Sequence, residues 1–146
     1  METKLILLVE DNADDELLML RALKKNHILN RIVVARDGVE ALDYLFSTGE
    51  YAGKDAEPLP QLILLDLKLP KLNGFEVLKR VRADQRTKYI PVVVLTSSTE
   101  EQDIISSYDF GANGFVQKPM DFNKFVEVAH QLGVYWLGVN RAVYPK

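Results

Sequence analysis

The sequence predicts an α/β fold, a doubly wound five-stranded parallel sheet with helices on both faces. Five short, largely apolar runs alternate with stretches of helical periodicity. The runs are apolar at successive positions, as strands covered on both sides are. The length of 146 residues suits one domain.

Each element has its own warrant. Leu5 to Val9 is too short for a buried helix and reads as the first strand. Asn12 is an N-cap for a helix over Ala13 to Lys25, with Leu17, Leu18, Leu20 and Leu23 at helical spacing. Arg31 to Ala35 is the second strand. A helix from Asp37 or Gly38 follows, with Val39, Leu42, Leu45 and Phe46 on one face. Gln61 to Leu65 is the third strand, and its helix starts at Asn73 with Phe75, Leu78 and Val81. Pro91 to Leu95, the helix Glu100 to Asp109 and the strand Gly114 to Gln117 come next. Asp121 caps a last helix reaching about Leu137.

Ser47 to Pro60 breaks this rhythm and reads as an exposed loop insertion, rich in Gly and Pro. Its GEYAGK stretch is no phosphate-binding loop. Three residues separate the glycines instead of four, and Asp55 stands where a hydroxyl must meet magnesium.

Composition removes several function classes. With 47% hydrophobic and 27% charged residues the chain folds rather than staying disordered. No cysteine is present, which excludes a disulfide scaffold, a thiol nucleophile and Cys-ligated metal sites. His27 and His130 alone cannot form a multi-histidine site. A net charge of −3 gives no reason to expect nucleic-acid binding. The N-terminus is apolar only from Leu5 to Val9, too short for a secretory signal or a membrane span. A cytoplasmic protein with no membrane partner is expected.

In such sheets functional groups gather at the carboxyl ends of strands. Here those ends carry Glu10 and Asp11, Asp66, Thr96 and Ser97, and Lys118 and Pro119. Two carboxylates about 4 Å apart repel by roughly 4 kcal/mol at an effective dielectric of 20, and one lysine cannot balance three. An all-oxygen set relieves itself with a hard cation such as Mg²⁺. A metal, a lysine and the Thr96 hydroxyl around one carboxylate suit a phosphoryl group, with the carboxylate as nucleophile. Asp66 ends the most apolar strand and is the candidate. Singly, Asp11 reads as a helix cap, Lys118 as a loop lysine and Thr96 as a turn residue. Their convergence at one sheet edge favours the functional reading.

These residues resemble the receiver domain of two-component response regulators from Leu5 to about Leu137, through LLVEDN, LILLDLKLPKLNGFEVL, VVVLTSS and GFVQKP. The resemblance implies a flavodoxin-like fold of strand order 2-1-3-4-5. It also implies Asp66 as phosphoacceptor, Asp11 as direct Mg²⁺ ligand, Glu10 as the second acid and the Lys68 backbone carbonyl as third ligand. Thr96 matches the switch hydroxyl, Lys118 the phosphoryl-binding lysine, and the Lys118–Pro119 bond is expected to be cis. Phe115 matches the aromatic switch position; as a plain packing residue it would be half-buried. The long loop and the apolar ending VYWLGVNRAVYP are similar to cyanobacterial phytochrome response regulators and their single-domain relatives. The implied partner is a histidine kinase, with a phytochrome as the candidate.

The expected organisation is a receiver core over about 4–137, the insertion 47–60 and a short tail 138–146, with no output domain. Output is then a binding event, not an enzymatic reaction. The last helix is apolar nearly all round, and Val128, Tyr135 and Trp136 suggest a homodimer face beside the fourth helix and fifth strand. Lys79, Arg80, Arg82, Arg86 and Lys88 read as a solvated helix end. A haloacid dehalogenase-type phosphatase needs an aspartate where Lys68 stands, and an FMN phosphate would be repelled by Glu10 and Asp11. A receiver-like adaptor that is never phosphorylated keeps the fold without using the acids.

Overall fold

The computed structural model describes residues 4–25, 30–53, 58–119 and 121–143. His27 and Asp55 lie outside the described residues. The strands β1 (Lys4–Val9), β2 (Asn30–Ala35), β3 (Leu62–Leu65), β4 (Val92–Thr96) and β5 (Gly114–Gln117) alternate with α1 (Ala13–Lys25), α2 (Gly38–Phe46), α3 (Gly74–Ala83), α4 (Glu101–Asp109) and α5 (Phe122–Gly133). All strand pairs are parallel and the order is β2-β1-β3-β4-β5. The chain runs outward from β1 to β2, then returns past β1 to β3. The crevice of an open α/β sheet opens at such a reversal.

Residue parity decides what each face packs. Leu5, Leu7 and Val9 of β1, with Ile63 and Leu65 of β3, join Ala41, Leu45, Val77 and Leu78 from α2 and α3. Ile6, Leu8, Leu62 and Leu64 point the other way and meet Met19, Leu23, Phe125 and Ala129 from α1 and α5. β1 and β3 are therefore buried on both sides, and a polar residue can enter the crevice only where they end. The caps expected at Asn12 and Asp121 are present, and the two expected helix starts at Asp37 and Asn73 are caps as well. Asn12, Asp37, Asn73 and Asp121 accept from the amides of Asp15, Glu40, Glu76 and Lys124 at 2.7–3.1 Å.

Several local expectations are corrected. Leu17 and Val39 sit on the exposed flanks of their helices, and Met19, Ala22, Ala41 and Tyr44 fill the core instead. Spacing alone did not show which edge of each apolar stripe faces the sheet. Ser47 to Pro60 is no free loop where described. Ser47 closes α2 at φ 56°, Gly49–Tyr51 form a 3₁₀ turn, and Tyr51 meets the Tyr44 ring edge-on at 5.2 Å. The Tyr44 hydroxyl donates to the Pro58 carbonyl at 3.1 Å. α5 ends at Gly133 but the chain stays helical, in a wider π turn over Val134–Val139. No peptide bond among the described residues is cis, so Lys118–Pro119 is trans, the isomer an X–Pro bond prefers where nothing locks the other.

Arg82 is not part of a solvated helix end. Its guanidinium donates to the carbonyls of Gly111, Lys88 and Ile90 and to Asn113 Oδ1 at 2.7–3.0 Å. Asn113 Oδ1 also accepts from the Val92 amide at 2.8 Å. Arg82 thus joins the end of α3 to the starts of β4 and β5, at the edge opposite the crevice.

Candidate functional site

The backbone ladder aims the site before any side chain acts. The Glu10 amide donates to Ala35 O at 2.9 Å and the Asp66 amide to Val9 O at 3.1 Å, so each residue extends its strand by one rung. Beyond that rung the sheet stops, and both side chains enter the crevice between β1 and β3. Gly74 lets the start of α3 close onto this edge. A Cβ there would lie 2.5 Å from the Asp66 carbonyl oxygen.

Glu10, Asp11 and Asp66 each bring a carboxylate oxygen within 4.8 Å of the others, with Glu10 and Asp66 buried and Asp11 exposed. Lys118 enters from the end of β5. Its amide donates to Thr96 O at 2.7 Å, which ties the Thr96 and Lys118 backbones together across β4 and β5. Its Nζ donates to Glu10 Oε1 at 2.8 Å, Asp66 Oδ2 at 2.8 Å and Asp15 Oδ2 at 2.9 Å. Thr96 is fully buried, and its Oγ1 accepts from the Ser98 amide at 3.4 Å. The amide of Lys68, an exposed residue, donates to Asp66 Oδ1 at 3.3 Å.

The electrostatics follow from burial. Desolvation pushes the Glu10 carboxyl up to about 8; the Lys118 hydrogen bond opposes this and the Asp66 charge adds to it. Burial pulls the Lys118 ammonium down, but hydrogen bonds to Asp66, Glu10 and Asp15 outweigh it and hold its pKa above the usual lysine value. A proton on Glu10 is thus one relief for crowded carboxylates. A cation is the other, and the donor set fits a hard divalent ion: oxygen only, three carboxylates, one of them open to solvent.

Residues 6–130 match the model of the response regulator receiver domain. The chain belongs to this family. It is 41% identical over 141 residues to the probable methanogenesis regulatory protein FilR2 of Methanothrix harundinacea, covering 97% of this chain and 88% of that protein. It is 40% identical over 134 residues to response regulator Rcp1 of Synechocystis, covering 92% and 89%. The crystal structure of an Mn(2+)-bound form of Rcp1 superposes with a TM-score of 0.86 at 38% identity, over 96% of this chain and 99% of that one. The phosphorylated cyanobacterial phytochrome response regulator RcpA gives a TM-score of 0.89 at 40% identity, over 97% and 99%. The receiver fold and its strand order are those expected, and such regulators are signalling proteins of two-component systems.

Other expected residues fall differently. Phe115 is half-buried on β5, in register with Val94, and packs on the α2–α3 side of the sheet. Of the three residues assigned to a homodimer face only Tyr135 is exposed. Val128 and Trp136 are partly buried against the α1–α5 core, on the same side of the helix as Phe125, Ala129 and Leu132. The exposed apolar side chains there are Val134, Tyr135, Val139 and Val143.

Two groups escaped the sequence reading. Asp15 is one; it shares the first turn of α1 with Asp14 and Glu16, and spacing does not say which of the three enters the crevice. The other is a link from Ser98 to α4. Ser98 Oγ donates to Asp103 Oδ2 at 2.6 Å and accepts from the Glu100 amide at 3.3 Å. Spacing gives no sign of it.

Proposed function

We propose that this protein is a cytoplasmic response regulator that accepts a phosphoryl group on Asp66 from a partner histidine kinase. The whole chain forms one receiver: a core over about 4–137, the insertion 47–60 and the tail from 138. The observation that carries this reading is the buried Asp66 carboxylate, held by Lys118 at 2.8 Å beside Glu10 and Asp11. The similarity to RcpA points to a phytochrome as the kinase.

Asp66 attacks phosphorus as the P–N bond to the kinase histidine breaks, and the bonding pair leaves with the imidazole. Glu10, Asp11, Asp66 and the Lys68 carbonyl would hold Mg²⁺, which when bound supplies charge neutralisation at the phosphoryl oxygens. Lys118 offers an N–H to one such oxygen, and the Thr96 hydroxyl donates to another. Hydrolysis of the acyl phosphate at this site resets the protein. The phosphoryl adds about −1.5 to −2 charge. As Thr96 turns toward it, Ser98 and its bond to Asp103 carry the change to α4 and the α4–β5–α5 face. Phe115, facing that same sheet edge, is the aromatic whose rotamer would follow.

Phosphotransfer tests the reading. Protein incubated with Mg²⁺ and a phosphodonor is expected to gain an acid-stable, base-labile phosphoryl group, lost entirely in Asp66→Asn. Incorporation that survives the substitution sinks the assignment; no incorporation in the wild type favours the adaptor reading. Candidate kinases are ranked by transfer rate, and a preference for a non-phytochrome kinase overturns that link.

Metal affinity is expected to depend on pH. The metal-free fold keeps a proton on Glu10 up to about pH 8 that the unfolded chain loses near the ordinary glutamate value of 4.5. Without metal, stability therefore falls as pH rises across that window. Metal must displace this proton, so affinity should rise about tenfold per pH unit between 6 and 8, then level off. Calorimetry in buffers of different ionisation enthalpy reads the released proton, and a flat affinity over this range contradicts it.

A second copy of the chain is the partner proposed for the apolar end. Tyr135, 48% exposed, meets Trp136 edge-on at 4.8 Å and leads the exposed patch. Tyr135→Ala is expected to weaken self-association about tenfold in sedimentation, the cost of losing one aromatic anchor. A wild type that stays monomeric at all concentrations in both phosphorylation states removes the dimer.

A further inference from the structure

Lys118 is shared by three carboxylates, and one of them lies outside the cluster of Glu10, Asp11 and Asp66. That one is Asp15. An ammonium has three N–H donors, and in this structure Glu10, Asp66 and Asp15 take all three. An acid in the first turn of a helix is ordinarily explained by the helix dipole or a capping box. The three acids of this turn separate those roles. Asp14 is exposed, and Glu16 pairs with Arg36 through both oxygens at 3.1 Å. Asp15 alone turns into the crevice.

Both partners of this contact are fixed from behind. The Asp15 amide donates to Asn12 Oδ1 at 3.0 Å, and the Lys118 amide to Thr96 O at 2.7 Å. The other two acids have competing tasks under the function proposed above. Once Asp66 is an acyl phosphate its own carboxylate charge is gone, and a metal ion draws on Glu10. Asp15 is the acid left to hold the ammonium at that moment. Its side chain is 28% exposed, so it can hold Lys118 without being buried as an unpaired charge.

We infer that Asp15 is the positioning residue for Lys118, keeping Nζ in the crevice so that it can meet a phosphoryl oxygen on Asp66. The inference rests on the phosphoacceptor reading. Removing Asp15 leaves Lys118 with partners that phosphorylation takes away, so the loss should appear in phosphoryl recognition and not in metal binding or folding.

The probe is beryllofluoride with Mg²⁺, a phosphoryl mimic, titrated calorimetrically into the full chain. Asp15→Ala is expected to weaken beryllofluoride binding about tenfold, part of one charge-assisted hydrogen bond. Mg²⁺ affinity alone should change by less than about threefold, since Asp15 stands outside the metal cluster. Asp15→Asn, which keeps the shape without the charge, should fall between, and Asp15→Glu should restore part of the loss. Asp14→Ala removes a first-turn acid that does not touch Lys118 and should change neither affinity. Unchanged binding in Asp15→Ala overturns the inference, as does tighter binding, which would make Asp15 a competitor for the lysine. Equal losses of Mg²⁺ and beryllofluoride affinity also overturn it. Failure of the underlying reading looks different: the wild type and Asp66→Asn then bind beryllofluoride alike or not at all, and the inference falls with it.

Discussion

Lys118→Ala is expected to cost about 3–5 kcal/mol of stability in the absence of metal, the usual consequence of removing one partner from a buried ion pair. Its side chain is 8% exposed, and those of Glu10 and Asp66 are 5% and 8% exposed. Without the ammonium, those two carboxylates and Asp11 face one another with no cation among them. The cost should depend on pH in a definite direction. Lys118 holds the Glu10 pKa down against burial, so its loss moves that carboxyl further above 8. At pH 6 a proton on Glu10 relieves the repulsion and the loss is smaller; at pH 8.5 it is larger. Divalent metal should recover most of the deficit, because an ion binding only the folded state stabilises it by mass action. The measurement is the urea midpoint of wild type, Lys118→Ala and Lys118→Met, with and without Mg²⁺, at both pH values. Lys118→Met keeps most of the apolar stem and separates packing from charge. Equal midpoints for all three proteins, or a deficit that metal does not touch, would show that the acids are not coupled through Lys118.

How much of this was legible in the sequence depends on range. β1 and β3 announce themselves because both faces are buried and the apolar run cannot be interrupted; Glu10 and Asp66 could then be placed at strand ends before any coordinates existed. The caps at Asn12 and Asp121 and the helix starts at Asp37 and Asn73 were legible because a cap acts within three residues of itself. Contacts between distant segments leave no such local trace. Asp15 meets Lys118 across 103 positions, and Arg82 reaches Gly111 across 29. Nothing in either neighbourhood distinguishes a first-turn acid or a helix-end arginine from a solvated one. The C-terminal face failed for a third reason. An amphipathic pattern assumes 3.6 residues per turn, and the π turn from Val134 shifts which side chains face the core. Leu137 is turned inward and Val139 outward as a result, while Trp136, four residues after Leu132, stays on the core side at either spacing.

Gly74→Ala is expected to remove about 3 kcal/mol of stability, the upper end of ordinary overpacking, and to damage the site as well. A Cβ at Gly74 would stand 2.5 Å from the Asp66 carbonyl oxygen and 2.8 Å from the Leu67 Cα. Both are backbone atoms, so no rotamer change can make room; either α3 or the end of β3 must move. The Gly74 amide donates to Leu67 O at 3.0 Å, so the same displacement stretches the bond that seats α3 on this turn. Two other glycines supply the controls. Gly38→Ala would drive a Cβ onto the Leu72 carbonyl oxygen, a still more severe clash away from the carboxylate cluster. At Gly114 a Cβ would sit 3.6 Å from the Val93 side chain, ordinary contact, and alanine there should be tolerated. Melting temperature and metal affinity together separate the three. Gly38→Ala and Gly74→Ala should both melt early, while only Gly74→Ala should lose metal affinity at temperatures where it is still folded, by about tenfold or more for a shifted ligand. If Gly74→Ala binds metal as the wild type does, then the closeness of α3 to Asp66 shapes the fold alone. If it does not, one missing methyl group sets both the packing of a helix and the position of the acceptor carboxylate.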